Sequence, residues 1–449
     1  MKPTAKIISY NLHGEKVCAS AAKISTTSGT ALELFEASND VEKNRKLIKK
    51  VLSSGHVSLI EHAVFTIAFT NVSAFVEQFF IECRLASFTV KSRRYVDFSH
   101  AGYYIPQDMS DSDLEFYSKY MNMLFEAYET LLELEIPKED ARFLLPYSFN
   151  SNFYCTVNAR ELSQIISSIE NGRGQEIQEL KDLAEQIKEQ VIAISPCLLM
   201  EIDKPIKKDL SHGKKNFFEY GLSFVDHRNA GGISIFNAPT QPKLLLDTAL
   251  QISHPLWTQY NIGSLLTSSR ARELEQLSYT FYVSDISLSG ITHIVRHRMQ
   301  SIIIPPLGEL IGYRQILPES IQNNTAALAV YHESVLEAYK MRMSIYNSMR
   351  LTNYHFYFLL SGCLTNIITT MNARELSHFV QLRSCNRAQW EIRNISIRML
   401  GLARDNFPEL FELIGPSCFV KGNCPEGKMT CGKEKEVKRF FGNRITVNG

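Results

Sequence analysis

Short blocks of arginine are the residues best equipped for chemistry in this chain. Arg296-His297-Arg298, Arg93-Arg94 beside Ser92, Arg142 and Arg383 all present guanidinium groups. Their planar fork pairs with oxygen anions in a bidentate way that lysine cannot match. A second set lies near the C-terminus, where Cys385, Cys418, Cys424 and Cys431 could supply four thiolates to a tetrahedral structural zinc ion. Their spacing lacks the tight C-x-x-C knuckle of common zinc ribbons, and the alternative is a set of free, partly exposed thiols. The arginines have a plain reading as well. Arg-His-Arg at a helix C-terminus suits the helix dipole, Ser92 could be a turn hydroxyl, and Arg160 and Arg374 could lie on the surface or pair with Glu161 and Glu375.

The elements that carry these residues occur twice. T-V-N-A-R-E-L-S-Q (Thr156 to Gln164) recurs as T-M-N-A-R-E-L-S-H (Thr370 to His378), and the stretch I-E-C-R-L-A-S (Ile81 to Ser87) recurs as V-R-H-R-M-Q-S (Val295 to Ser301). An internal repeat decides the fold before any local reading does, and it divides the chain into residues 1–215 and 216–449. In the first copy a short strand (Lys6 to Tyr10) precedes a charged helix (Val41 to Ser53) and a second strand, A-V-F-T-I-A-F (Ala63 to Phe69), rich in β-branched and aromatic residues. Ser73 is placed to cap a helix through Arg84. In the second copy Leu277 to Val283 is the strand, and Ser287 opens a helix to Arg298. Long helices follow (Asp113 to Leu134; Thr325 to Met349), then the N-A-R-E-L helix of each copy. Lys204 to Lys243, rich in Lys, Gly, Asn and Pro, joins the copies, and its G-G-I-S-I-F reads as the first strand of the second. The tail beyond Pro416 is Gly- and Lys-rich with little periodicity. No βαβ rhythm or glycine fingerprint appears, so the expected class is α+β, each copy a mainly antiparallel sheet with long packed helices.

Composition narrows the setting. With 449 residues, 45% hydrophobic, 21% charged and a net charge of +1, the chain can bury two cores and carries no excess charge to draw it to nucleic acid or membrane. Its start lacks the apolar region of a signal peptide, and no apolar stretch approaches the length of a membrane helix. A cytoplasmic location is expected. Nine cysteines, an odd number, argue for reduced thiols rather than a disulfide framework.

The motifs together are specific. The sequence resembles the flavin-dependent thymidylate synthases, whose signature is Arg-His-Arg followed by a stretch ending Ser-x-Arg-Tyr. G-H-V-S-L-I-E-H (Gly55 to His62), R-L-A-S-F-T-V-K-S-R-R-Y (Arg84 to Tyr95) and G-Y-Y-I-P (Gly102 to Pro106) carry the likeness in the first copy. Arg296 to Arg298, Asn372 to Arg374 and L-R-S-C-N-R-A-Q-W-E-I-R (Leu382 to Arg393) carry it in the second. The resemblance implies tandem thymidylate-synthase-complementing-type domains, FAD as cofactor, NADPH and methylenetetrahydrofolate as co-substrates, and C5 methylation of dUMP. It implies a catalytic part for Arg383, Arg296 and Ser92. Cofactor contacts would come from Ser58, Arg296, His297, Arg298, Asn158, Arg160, Asn372, Arg374 and His378. The nucleotide would meet His293, Ser92, Arg93, Arg94, Arg142 and Arg383. Family members are homotetramers, so a homodimer of tandem chains would mimic their assembly.

Each copy departs from the pattern differently. Where the family has Arg-His-Arg the first copy has Glu82, Cys83 and Arg84, and Ile169 stands where the arginine after the N-A-R helix belongs. In the second copy the signature serine aligns with Pro306, beside Ile302, Ile303 and Ile304, and Phe356 replaces an arginine. The first copy keeps Ser92, Arg94 and Arg142; the second keeps Arg296, His297, Arg298 and Arg383. In the family these two groups face one nucleotide from different subunits, so one complete site between unlike halves is expected, and a dead reciprocal one. Ser92, Arg94 and Arg142 would meet the phosphate. Arg383, roughly three helical turns beyond Asn372, would stabilise charge drawn from N3 and O4 of uracil. Thr89 and Val90 stand where the family has an asparagine and an acid, which leaves open a nucleotide-binding homologue that senses, or a flavoenzyme acting on another pyrimidine.

Overall fold

The computed structural model describes residues 2–199, 221–257, 259–348 and 351–443. The copy boundary expected at 215/216 falls outside the described residues. Two compact units form: residues 1–219 with Pro306–Glu309 and Val330–Leu359, and residues 220–305 with Leu310–Ala329 and residues 360–449.

The first unit is built on a four-stranded sheet of β1 (Thr4–Tyr10), β2 (Val64–Ser73), β3 (Ser87–Val90) and β4 (Asn150–Asn158), in the order β1-β2-β4-β3 with every pair antiparallel. In the second unit β5 (Ser223–Asp226) pairs in parallel with β9 (Arg314–Leu317), and β6 (Gly232–Asn237), β7 (Ser278–Ser287), β8 (Gln300–Ile303) and β10 (Leu364–Asn372) form the antiparallel sheet β6-β7-β10-β8. The fold is therefore α+β with the same sheet twice, and G-G-I-S-I-F supplies the edge strand β6. Alternation drives the packing, since successive side chains of a strand face opposite ways. Phe65, Ile67 and Phe69 of β2 are buried, as are Tyr279, Phe281 and Val283 of β7. Phe69 stacks on Phe153 of β4 with ring centroids 4.4 Å apart.

The repeat persists into fine detail. Thr66 and Thr156 share a cross-strand hydroxyl hydrogen bond of 3.0 Å, and their counterparts Thr280 and Thr370 share one of 2.9 Å. Bulges in β2 and β7 place Asn71 (φ 55°) and Asp285 (φ 53°) in the left-handed region, which Asn and Asp tolerate better than other side-chain-bearing residues. Each of their backbone N–H groups donates to a neighbouring asparagine, Asn152 or Asn366, at 3.1 Å.

Beyond each bulge the anticipated serine caps a helix. Ser73 Oγ accepts from Val76 N–H at 3.2 Å, and Ser287 Oγ from Gly290 N–H at 2.8 Å. Both helices are shorter than expected: they span Ala74–Ile81 and Leu288–Ile294, not through Arg84 and Arg298. The residues that follow must reverse to join β3 and β8 to the far edges of β4 and β10, so Arg296-His297-Arg298 occupies a turn rather than a helix terminus.

Residues Val330–Leu359 belong by sequence to the second copy but fold into the first unit. There Phe356 packs on Phe75 with centroids 4.4 Å apart, Tyr357 Oη donates to Glu179 at 2.8 Å, and the Leu359 carbonyl accepts from Tyr147 N–H at 2.8 Å. The helix Thr325–Ser348 thus begins in one unit and continues in the other. Among the described residues no helix is long and apolar enough to cross a membrane.

Candidate functional site

In the second unit the turn carrying Arg296, His297 and Arg298 is held from two sides. Gln300 Nε2 donates to the Ile294 carbonyl at 2.7 Å, closing the turn, and Thr369 Oγ1 of β10 donates to Gln300 Oε1 at 2.6 Å. Arg296 and Arg298 are exposed and His297 is buried. The His297 ring lies edge-on to Phe379, centroids 4.9 Å apart, on the helix Ala373–Arg383. Arg383, the last residue of that helix, donates from Nε to His297 Nε2 at 2.9 Å. His297 Nδ1 is 3.3 Å from Glu375 Oε1, one face of the same helix away. Because Nε2 accepts, the imidazole proton is on Nδ1, directed at the carboxylate. Burial is the largest influence on His297 and holds its pKa below the ordinary histidine value, against the pull of Glu375.

The same positions in the first unit are stripped of this polarity. Cys83 stands for His297, Ala86 for Gln300, Cys155 for Thr369 and Ile169 for Arg383, while Glu161 persists opposite Glu375. Burial pushes the Cys83 thiol up to about 12 and raises the Glu161 carboxyl. Glu82, in place of Arg296, pairs with Arg173, which also donates to the Phe79 carbonyl at 3.1 Å and lies over the Phe79 ring.

What the first unit keeps is a cationic cluster. Arg94 Nε donates to the Glu139 carboxylate at 2.7 Å, and Arg142 Nε to the Glu139 carbonyl at 3.0 Å. Ser92 Oγ accepts from Arg94 N–H at 3.3 Å within a turn, so its hydroxyl shapes the chain that presents Arg94. Arg94 and Arg142 therefore both meet Glu139, Arg94 at its carboxylate and Arg142 at its backbone carbonyl. Arg93 is buried in an ion pair with Glu77, over the Phe149 ring.

The remaining expected residues scatter into local roles. Asn158 and Asn372 cap the N-A-R-E-L helices, accepting from Glu161 and Glu375 N–H at 2.9 Å each. Arg160 pairs with Glu61, and Arg374 with Glu275 at 2.6 Å, not with Glu161 and Glu375. His293 is buried, and Ser58 and His378 are exposed. Among the described residues no group of three or more His, Cys, Asp or Glu side chains could hold a metal ion, and Cys385, Cys418, Cys424 and Cys431 are free thiols. They lie within electrostatic reach of one another. The tail is fastened instead by Arg404, which donates to the carbonyls of Phe411 (3.0 Å), Ile414 (2.9 Å), Phe441 (2.9 Å) and Asn443 (3.2 Å).

Sequence reasoning passed over Gln300, Thr369 and Glu139, and saw Glu375 only as a partner for Arg374. A signal for the first two was present: aligned copy against copy, each is a polar residue facing an apolar or thiol one, Gln300 against Ala86 and Thr369 against Cys155.

Comparison with known proteins agrees with the repeat. Residues 6–197 and 258–409 both match the family described as Thymidylate synthase complementing protein. The flavin-dependent thymidylate synthase of Geobacter sulfurreducens is 39% identical over 188 residues, 40% of this chain and 79% of its own length. That of Clostridium tetani is 33% identical over 201 residues, again 40% of this chain and 79% of its own. Among solved structures, the UMP/dUMP methylase PolB from Streptomyces cacaoi bound with 5-Br dUMP is 25% identical with a TM-score of 0.38, covering 44% of this chain and 93% of that one.

Proposed function

The chain belongs to the thymidylate synthase complementing protein family, and from that premise we propose that it methylates dUMP reductively at C5, giving dTMP, at one composite site per chain. The observation that carries this reading is complementary loss. The second unit retains an oriented arginine, Arg383, on a polar support; the first retains Arg94 and Arg142, both bound to Glu139, with Ser92 in the turn that carries Arg94. Neither holds both sets. In the proposed site Arg94 and Arg142 bind the nucleotide phosphate, with Arg94 exchanging the Glu139 carboxylate for a phosphate oxygen. Arg383 stabilises the charge drawn onto N3 and O4 of the uracil ring, raising electron density at C5.

The cations exposed at the Arg296 and Arg298 turn, with Arg374 and Arg160 at the start of the N-A-R-E-L helices, are chemically suited to the diphosphate of FAD. His378 and Ser58 are further polar contacts in this reading, and His293 a nucleotide contact. Reduced FAD, when bound, supplies hydride, methylenetetrahydrofolate the carbon and NADPH the electrons that restore the flavin; the protein contributes position and field. The working assembly is a homodimer in the cytoplasm.

A second reading, nucleotide sensing without turnover or action on another pyrimidine, is favoured by Thr89 and Val90 on β3, where the family carries an asparagine and an acid. Incubating the chain with FAD, dUMP, methylenetetrahydrofolate and NADPH decides between them. Formation of dTMP is the expected result. Nucleotide binding with neither flavin uptake nor product would establish the sensor instead.

A further inference from the structure

Arg383 is useful to a pyrimidine only if its fork points one way, and a residue at the end of a helix is poorly restrained by its own backbone. The restraint comes from two side chains behind it. Nε–H of Arg383 donates to His297 Nε2 at 2.9 Å, and this bond, lying in the guanidinium plane, fixes the direction of the two Nη groups. His297 can accept only while its proton is on Nδ1, where Glu375 Oε1 stands 3.3 Å away. Glu375 is itself placed by the helix start, its N–H capped by Asn372, and the imidazole is buried against Phe379. The first unit offers a comparison: where arginine has become Ile169 the histidine position has become Cys83, so arginine and imidazole are missing together, while the glutamate persists as Glu161.

We propose that Glu375 and His297 are positioning residues that hold the Arg383 guanidinium in register for the pyrimidine, Glu375 acting by selecting the Nδ1–H tautomer of His297. This rests on the nucleotide-binding reading above. It implies that Glu375 affects the nucleotide solely through Arg383.

The test is a double-mutant cycle read by dUMP calorimetry on the full chain, joined to nitrogen NMR of the ¹⁵N-histidine-labelled wild type. Glu375→Ala and Glu375→Gln should each weaken dUMP binding about ten-fold or more, as expected when a charge-assisted hydrogen bond is lost. Neither should weaken it further in an Arg383→Ala background. Glu375→Asp should recover part of the loss. The His297 signal, assigned by its disappearance in His297→Gln, should show Nδ1 protonated and Nε2 bare. An equal loss from Glu375→Ala with and without Arg383, or a protonated Nε2, would overturn the proposal. Should the wild type bind no pyrimidine nucleotide, the functional reading falls, and the His297 tautomer still decides whether the relay exists.

Discussion

In the proposed composite site Arg142 belongs to the half-site that binds nucleotide and Glu82 to the one that does not. Arg142 is buried and bound to the Glu139 carbonyl, so it is held ready for an anion at little further ordering cost. Arg142→Ala, like Arg383→Ala, should lower dUMP affinity about ten- to hundred-fold by calorimetry, the worth of a charge-assisted hydrogen bond. Glu82 is engaged by Arg173, a pair with one partner 40% exposed, so Glu82→Ala should leave nucleotide binding intact and cost about 1 kcal/mol or less in denaturant unfolding. Equal damage to binding from all three would mean the halves are paired the other way. Glu139 offers the opposite sign. Its carboxylate competes for Arg94, and Glu139→Gln should tighten dUMP binding while sparing the backbone carbonyl that Arg142 uses; unchanged or weaker affinity would place the phosphate elsewhere. The cations themselves were named from the family resemblance. Their partners were not, because Glu139, Glu61 and Glu275 lie far from Arg94, Arg160 and Arg374 in sequence and look like ordinary surface acids.

Caps and strands were readable because their causes are local. Ser73 and Ser287 precede apolar runs, and both cap helices as anticipated. Where those helices stop is set by the need to pair β3 and β8 with β4 and β10, a tertiary demand that the pattern Ile81 to Arg84 does not encode. The carboxylates beneath the caps were equally hidden. Glu179, fully buried, receives the N–H and hydroxyl of Ser73 and the hydroxyl of Tyr357, yet burial outweighs these bonds and raises its pKa to about 7. The folded state therefore holds this proton more tightly than the unfolded chain. The stabilisation is full below the ordinary carboxylate pKa and is lost as pH climbs from about 4.5 through about 7, a change on the order of 3 kcal/mol. Denaturant midpoints should fall across that window in the wild type, and Glu179→Gln should flatten the fall; an unaltered slope would assign it to other groups. The tail poses a parallel test, since Arg404 gathers its carbonyls. Arg404→Met should destabilise the protein on the order of 3 kcal/mol by leaving buried acceptors unpaired, whereas a strong chelator should leave the melting temperature unchanged. A large loss on chelation would return the four cysteines to a zinc role.

The tandem organisation was visible from repeated words such as N-A-R-E-L, and the structure carries that repeat down to paired threonines and left-handed bulge residues. What the words could not reveal is that Val330–Leu359 of the second copy completes the core of the first unit. Periodicity identifies a helix without naming the core it packs in, and Phe356 is informative only beside Phe75. That contact gives Phe356 a packing role: its ring supports the core of the first unit. Duplication followed by complementary loss leads to a single expectation, that two copies of the domain make one nucleotide site. Calorimetric titration of the full chain with dUMP, at known active protein concentration, measures this. About one nucleotide bound per chain is the predicted result, and two equivalent sites per chain would contradict it.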